Sequence, residues 1–169
     1  MEVAEYTDLL IQVITEATKD GSVTRSKNPD GWLRLRIDGL TTFQRNGRTI
    51  YDNTPMTVLW NQEKGSFVVM GPLWRNYLLT GPVAKRLLKH ICKEAKYQMP
   101  WMNIEVEMFA NKTANVFCSA QFKLPETNRT RDRLRMFRGT LAEFSYTRGI
   151  LRFAVAEYVP SGVSAETLH

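Results

Sequence analysis

The chain of 169 residues carries a net charge of +6, with 43% hydrophobic and 24% charged residues. This composition supports a packed core and excludes a wholly disordered chain, and no apolar run approaches the roughly 20 residues that cross a bilayer. The two histidines and two cysteines fall at no metal-ligand spacing, and no familiar catalytic motif occurs. We therefore expect no metal, no cofactor and no enzymatic activity.

The charge is distributed unevenly along the chain. Residues 1–20 contain five acidic residues and one lysine, whereas the other 149 residues contain 22 Lys and Arg against 12 Asp and Glu. A basic body attracts polyanions, either nucleic acid or an anionic membrane. The acidic segment of residues 1–20, which we call the leader, would in turn be attracted to the basic body of a neighbouring copy.

The first predicted element is an acidic amphipathic helix within residues 1–20. Apolar residues recur at helical spacing over residues 5–18. We expect this helix to serve as a self-association arm through one apolar stripe, formed by Tyr6, Leu9, Leu10, Val13 and Ile14. The alternative is that the helix packs on its own domain. Residues 21–31 have no apolar period and are predicted to be a linker.

Residues 32–160 are predicted to form a single α+β domain, and the first part of it favours hairpins. Apolar and charged residues alternate over residues 33–38, which is typical of a half-buried strand. The dipeptide Asn46-Gly47 lies between two short strand-like runs and predicts a two-residue hairpin turn. A second hairpin is predicted over residues 57–70.

The middle of the chain predicts helices and then strands. A short helix is expected over residues 73–79, and a longer one over residues 82–97, where Pro82 suits the first turn. Alternating apolar residues then predict strands over residues 102–108 and 116–122.

The last part of the chain is predicted to be a loop, two strands and a tail. Residues 124–133 form the loop, and a strand over residues 140–146 leads into a turn at Arg148-Gly149. The last strand begins with residues 151–155 and ends at Pro160-Ser161-Gly162, and residues 161–169 are a flexible tail. Helices and hairpins are thus interleaved without a regular βαβ rhythm. The expected fold class is α+β, an antiparallel sheet built from hairpins and packed against two or three helices.

Two basic clusters are candidate binding sites for an anionic membrane, a nucleocapsid or RNA. The first lies on one face of the 82–97 helix and consists of Lys85, Arg86, Lys89, Lys93 and Lys96. The second lies on a segment expected to be extended, with alternate side chains on one side, and consists of Arg129, Arg131, Arg133, Arg135 and Arg138. The alternative for both clusters is ordinary solvated surface.

A resemblance to a known family covers residues 116–147. The segment CSAQFKLP (118–125) is followed by a polar basic loop and then by LRMFRGTL (134–141). This order resembles the C-terminal part of rhabdovirus matrix proteins, in which a strand ends in Leu-Pro and a basic loop leads to an aromatic-basic-Gly-Thr strand opening. The compact length suits the plant-infecting members better than the animal ones.

The resemblance implies a viral matrix protein with a small antiparallel sheet packed on helices. Such a protein is not an enzyme; it lines the inner face of the viral membrane, condenses the nucleocapsid, self-associates and supports budding. The implied partners are anionic membrane lipids, the nucleocapsid or RNA, and further copies of the chain. The implied locations are the virion under its envelope, the host cytoplasm and the cytoplasmic face of membranes, with the nucleus left open.

Two features of the chain depart from the family pattern. The N-terminus is acidic, whereas animal members often carry a long lysine-rich one, and no PPxY or PTAP-type motif occurs. Recruitment of host budding machinery is therefore not expected. In the family an N-terminal segment docks on the neighbouring subunit, and the helix at residues 6–17 would play that part here.

Two other classes of function fit parts of the sequence. An RNA-binding viral accessory protein, such as a suppressor or a movement-associated protein, would share the positive charge but bind naked RNA without lipid. An enzyme of unrecognised type would require a deep pocket that contains His90 or paired carboxylates.

Overall fold

The structure, a computed structural model, describes residues 3–18, 22–27, 32–61, 65–78, 86, 89–90, 93, 97, 102–108, 113–123 and 129–158. These residues include two continuous helices, α1 (Val3–Ala17) and α2 (Thr130–Tyr158). They also include eight strands: β1 (Ser22–Lys27), β2 (Leu33–Asp38), β3 (Thr41–Arg45), β4 (Arg48–Asp52), β5 (Met56–Asn61), β6 (Ser66–Leu78), β7 (Met102–Met108) and β8 (Thr113–Lys123). The predicted α+β class is confirmed.

The described strands form a six-stranded sheet in the order β1-β2-β5-β6-β8-β7 and a separate two-stranded hairpin, β3-β4. The pairings β1–β2, β2–β5, β7–β8 and β3–β4 are antiparallel. The chain divides into two compact units, one of Met1–Val69 with Gln121–Ser145 and the other of Met70–Ala120 with Tyr146–His169. That residues 32–160 are a single domain stays a prediction.

The β3-β4 hairpin forms where the sequence predicts it. Asn46 has a φ of 49° and Gly47 a φ of 75°, and two positive φ angles are the requirement of a type I′ turn. The twist of that turn matches the twist of the strands, so Arg45 pairs with Arg48 directly across it. Gln44 Nε2 also donates a hydrogen bond to Thr49 Oγ1 at 2.9 Å.

Buried and more exposed side chains alternate along β2, and the buried ones contribute to the core of the first unit. Leu35 and Ile37 are each 1% exposed, whereas Arg36 between them is exposed. The antiparallel register places Val58 of β5 opposite Leu35 and Met56 opposite Ile37, and both partners are buried as well. Such cross-strand apolar pairs are what stabilise a half-buried sheet.

Helix α1 and the part of α2 that belongs to the first unit also bury apolar side chains. Leu10 and Ile14 of α1 are at most 1% exposed, and Phe137 of α2 is fully buried. The ring of Phe137 lies 5.3 Å from the ring of Phe67, and a third ring, that of Phe122, lies 5.4 Å from Phe67. Aromatic groups at these distances add to the free energy gained by burial.

The second unit has its own buried side chains. Leu73, Val116, Cys118 and Leu151 are at most 1% exposed. The Cys118 thiol donates to the carbonyl oxygen of Gly71 at a distance of 3.7 Å. The thiol is therefore enclosed, as a small apolar side chain would be.

Two predictions for the first half of the chain are wrong. The linker predicted over residues 21–31 contains strand β1, which pairs with β2 along its whole length. This strand has one strongly apolar residue, Val23, so it lacks the alternation that marks a strand, and its ladder hydrogen bonds to β2 place it in the sheet. Residues 73–78, most of the short helix predicted over residues 73–79, form the second half of β6, where Trp74 and Tyr77 are residue types that favour strands.

The predictions for residues 130–155 are also wrong. The structure has one long helix in place of the end of the loop, the two strands and the turn. The alternation over residues 140–146 coincides with a helical pattern, in which buried residues recur at positions 133, 137, 141, 144, 148 and 151. Gly149 lies inside the helix, at a cost of about 1 kcal/mol relative to alanine that burial of the surrounding side chains offsets. The predicted tail at residues 161–169 lies outside the described residues.

Candidate polyanion-binding surface

The second basic cluster lies at the beginning of α2, and helical geometry divides it. Arg131, Arg135 and Arg138 are spaced i, i+4 and i+7, so they share one face, and all three are exposed. Arg133 lies on the opposite side and is 1% exposed. The prediction that alternate arginines of an extended segment point to the same side is therefore wrong, because this segment is helical and a helix turns 100° per residue.

The first turn of α2 places Arg129 beside the other arginines. The carbonyl oxygen of Arg129 accepts hydrogen bonds from the backbone N–H groups of Asp132 and Arg133, at 3.1 and 3.2 Å. Asp132 also lies in the first turn, where a carboxylate is stabilised by the positive end of the helix dipole. Arg129 itself is exposed, immediately before the helix begins.

Arg133 is buried against an aromatic side chain of α1. Its guanidinium carbon lies 5.0 Å from the centroid of the Tyr6 ring, a cation–π arrangement with α1. Tyr6 in turn packs 6.1 Å from the ring of Trp60 on β5. Because Arg133 is buried under this contact, it is removed from the predicted binding set and assigned to the packing of α1.

Arg138 connects the exposed arginines with the acidic helix. Its Nη2 donates to Glu16 Oε2, and the side chains of Arg138 and Glu16 are 51% and 47% exposed. The hydrogen bond from Arg138, with a second one from Gln12, holds the pKa of Glu16 below its ordinary value. Since water screens this ion pair, its contribution to stability is small.

The exposed arginines border one concavity, which we call the arginine cavity. It has a volume of about 550 Å³ and is lined by Gln44, Arg129, Arg131, Asp132, Arg135, Arg138 and Gly139. Gln44 comes from the β3-β4 hairpin, while the other residues come from α2 and the residue before it. The sequence identifies the hairpin and the arginines separately, but not that the hairpin lies beside the helix.

The stripe predicted to bind a neighbouring copy is packed within its own unit. Leu10, Val13 and Ile14 are at most 1% exposed, and Tyr6 and Leu9 are half-buried. This arrangement corresponds to the alternative in which the leader helix packs on its own domain. Docking on another copy through this stripe requires α1 to leave that position, and self-association stays a prediction.

The first basic cluster is described in part. Arg86, Lys89 and Lys93 are helical and exposed, at the spacing i, i+3 and i+7 that places them on one face. This agrees with a basic face on the predicted 82–97 helix. Lys85 and Lys96 lie outside the described residues.

Comparison with protein-family models, with curated proteins and with solved structures gives no match. Within the part of the chain that the structure describes, no helix is both long and apolar enough to cross a membrane. The same residues contain no group of three or more His, Cys, Asp or Glu side chains arranged to hold a metal ion. The strand opening that the resemblance implies at residues 134–141 is helical, whereas the resemblance to matrix proteins itself stays untested.

Proposed function

We propose that this chain is a structural protein of the viral matrix type that is not an enzyme. It would bind an anionic membrane surface and a nucleocapsid, and it would self-associate during assembly and budding. The observation that carries the proposal is the arginine cavity, where Arg129, Arg131, Arg135 and Arg138 bring four positive groups to one exposed surface. Its place would be under the viral envelope and at the cytoplasmic face of host membranes.

The size of the electrostatic attraction supports this function. Each basic residue near an anionic leaflet contributes about 1 kcal/mol, and the attraction falls off within a Debye length. Arg86, Lys89 and Lys93 form another exposed basic surface with the same capacity. On a nucleocapsid, the same groups would neutralise phosphates and make binding strongly dependent on salt.

Flotation with phosphatidylserine vesicles tests the membrane contact. The full chain is expected to float with vesicles at low salt, and Arg131→Gln/Arg135→Gln is expected to reduce the bound fraction. Arg36→Gln removes one exposed positive charge elsewhere in the first unit and serves as the control. Absence of binding at low salt would remove membrane attachment from the proposal.

Titration with single-stranded RNA separates the matrix function from the RNA-binding alternative. We expect vesicle binding to persist to higher salt than RNA binding. Binding to RNA with no binding to vesicles would assign the chain to the RNA-binding accessory proteins instead.

Self-association through α1 is tested by a disulfide between Thr18→Cys and Thr41→Cys. These residues form an antiparallel bridge, and paired residues in such bridges have Cα atoms about 4.5–5.5 Å apart, within the range of a disulfide. If α1 exchanges between copies, oxidation produces covalent dimers on a non-reducing gel. If oxidised chains stay monomeric on the gel yet sediment as oligomers, another surface mediates assembly. Monomeric sedimentation at all concentrations would contradict self-association.

A further inference from the structure

The arginine cavity brings more positive than negative groups to one surface. Four guanidinium groups and one carboxylate, that of Asp132, border a volume of about 550 Å³. That volume lies within the range of about 300–1,000 Å³ found for small-molecule sites. The cavity therefore has the dimensions of a site for a compact ligand.

Two of the arginines on this face have no acidic partner among the described residues. Arg131 and Arg135 form no ion pair with any described residue, and Arg138 pairs with Glu16. Like charges at positions i and i+4 of a helix, as Arg131 and Arg135 are, repel each other by a few tenths of a kcal/mol. A bound anion would replace that repulsion with attraction.

The chemistry of the lining favours phosphate groups. A guanidinium group is always charged and presents its N–H donors as a planar fork, which matches two oxygens of one phosphate. Gln44 adds a neutral amide from the opposite element. The cavity also lies at the beginning of α2, where the helix dipole is positive and adds to the field of the side chains.

The lining differs from that of a channel for single-stranded nucleic acid. Proteins that bind such strands combine a basic track with aromatic side chains on which bases stack. Among the described residues that line the cavity, none is aromatic. The positive groups are gathered around one concavity and do not follow an extended track.

We propose that the arginine cavity binds a compact ligand that carries several phosphate monoesters, such as an inositol polyphosphate, either free in solution or as a lipid headgroup. This inference rests on the proposed polyanion contact of the same arginines. Glu16 acts as a built-in competitor, because its carboxylate occupies Arg138, which a phosphate would also contact. Ligand binding therefore exchanges the Glu16–Arg138 ion pair for a phosphate contact.

Calorimetric titration of the full chain with inositol hexakisphosphate at physiological salt tests the site. Arg131→Gln/Arg135→Gln is expected to weaken binding by about tenfold or more, the effect of lost charge-assisted hydrogen bonds. Glu16→Gln is expected to strengthen it by about two- to fivefold, since Arg138 becomes available. The control Arg36→Gln should bind as the parent chain does, and thermal melts of each variant verify folding.

Vesicles distinguish the two sources of the ligand. Stronger flotation with phosphatidylinositol 4,5-bisphosphate than with phosphatidylserine at equal surface charge supports the headgroup as the ligand. Soluble binding without that vesicle preference supports the free polyphosphate. Single-stranded RNA that binds the same arginines and is not displaced by inositol hexakisphosphate would overturn the proposal.

The titration separates this inference from the proposed function. Binding of inositol hexakisphosphate that disappears in Arg131→Gln/Arg135→Gln, with no flotation on phosphatidylserine, keeps the site and removes the membrane function. Flotation that depends on these arginines keeps the function and overturns the site in two cases: when the soluble compound does not bind and phosphatidylinositol 4,5-bisphosphate vesicles are not preferred, or when the double variant binds the soluble compound equally well.

Discussion

The two sides of the first turns of α2 show what decides the role of an arginine in this protein. Arg131, Arg135 and Arg138 face the arginine cavity, while Arg133, only two residues from two of them, is buried under Tyr6. The four residues have the same chemistry and lie within eight positions of sequence. Their different roles follow from the helical period. Arg133 lies on the side of α2 that faces the core, whereas Arg131 and Arg135 lie on the side that faces solvent.

The largest difference in the free energy of unfolding between the buried and the exposed side of α2 is expected from Phe137→Ala. This side chain is 0% exposed and its ring packs 5.3 Å from Phe67, so its removal should lower the free energy of unfolding by about 3–5 kcal/mol. The control Met136→Ala truncates a side chain that is 47% exposed and should change stability by less than about 0.5 kcal/mol. Urea unfolding followed by circular dichroism measures both, and equal effects would contradict the assignment of the two sides.

The next contrast is between two arginines. Arg133→Ala removes a buried side chain and its contact with Tyr6. We expect it to lower the free energy of unfolding by about 2–3 kcal/mol. Arg135→Ala should leave the free energy of unfolding within about 0.5 kcal/mol of the parent. The same urea series measures both variants. A large loss for Arg135→Ala would mean that the exposed face also supports the fold.

A smaller contrast compares glycines on α2 and in the hairpin turn. An added Cβ meets no atom within 4 Å at Gly139 or at Gly47, so crowding does not distinguish them. Gly139→Ala should raise the free energy of unfolding by about 0.5–1 kcal/mol, because alanine favours a helix. Gly47→Ala should lower it by about 1–2 kcal/mol, because Gly47 has a φ of 75°. Thermal unfolding checks the signs, and two changes in the same direction would contradict the turn or the helix.

The smallest effect is expected from the pH dependence of the Glu16–Arg138 pair. Since the pKa of Glu16 is lowered in the folded chain, the unfolded chain binds more protons in the range between the two values. The pair therefore stabilises the fold above the unfolded pKa of Glu16, and this contribution is lost as the pH falls through the folded one. Glu16→Gln should have a shallower loss of stability in that acidic range than the parent chain. Identical slopes in urea unfolding from neutral to acidic pH would contradict the pair.

Some elements were predictable because their signal is local. The stripe of α1, the alternation of β2 and the Asn46-Gly47 turn each carry their information in a few adjacent residues, and the structure confirms all three. Helix α2 was not predicted, because residues 140–146 in its middle fit both a period of two and a helical period. The spacing of Phe137, Leu141 and Phe144 was the signal for a helix, and the two glycines in the segment argued against it.

The sequence by itself determined the charge, the apolar stripe of the leader, the hairpin turn and the fold class, because these depend on composition and on short-range periods. Only the tertiary structure decided which arginines are exposed and able to bind an anionic ligand. Arg133 is buried under Tyr6, Arg138 pairs with Glu16, and Gln44 lies beside the exposed face of α2. Those contacts join residues far apart in the chain, and no local pattern specifies them, because they arise when the helices and the hairpin pack together.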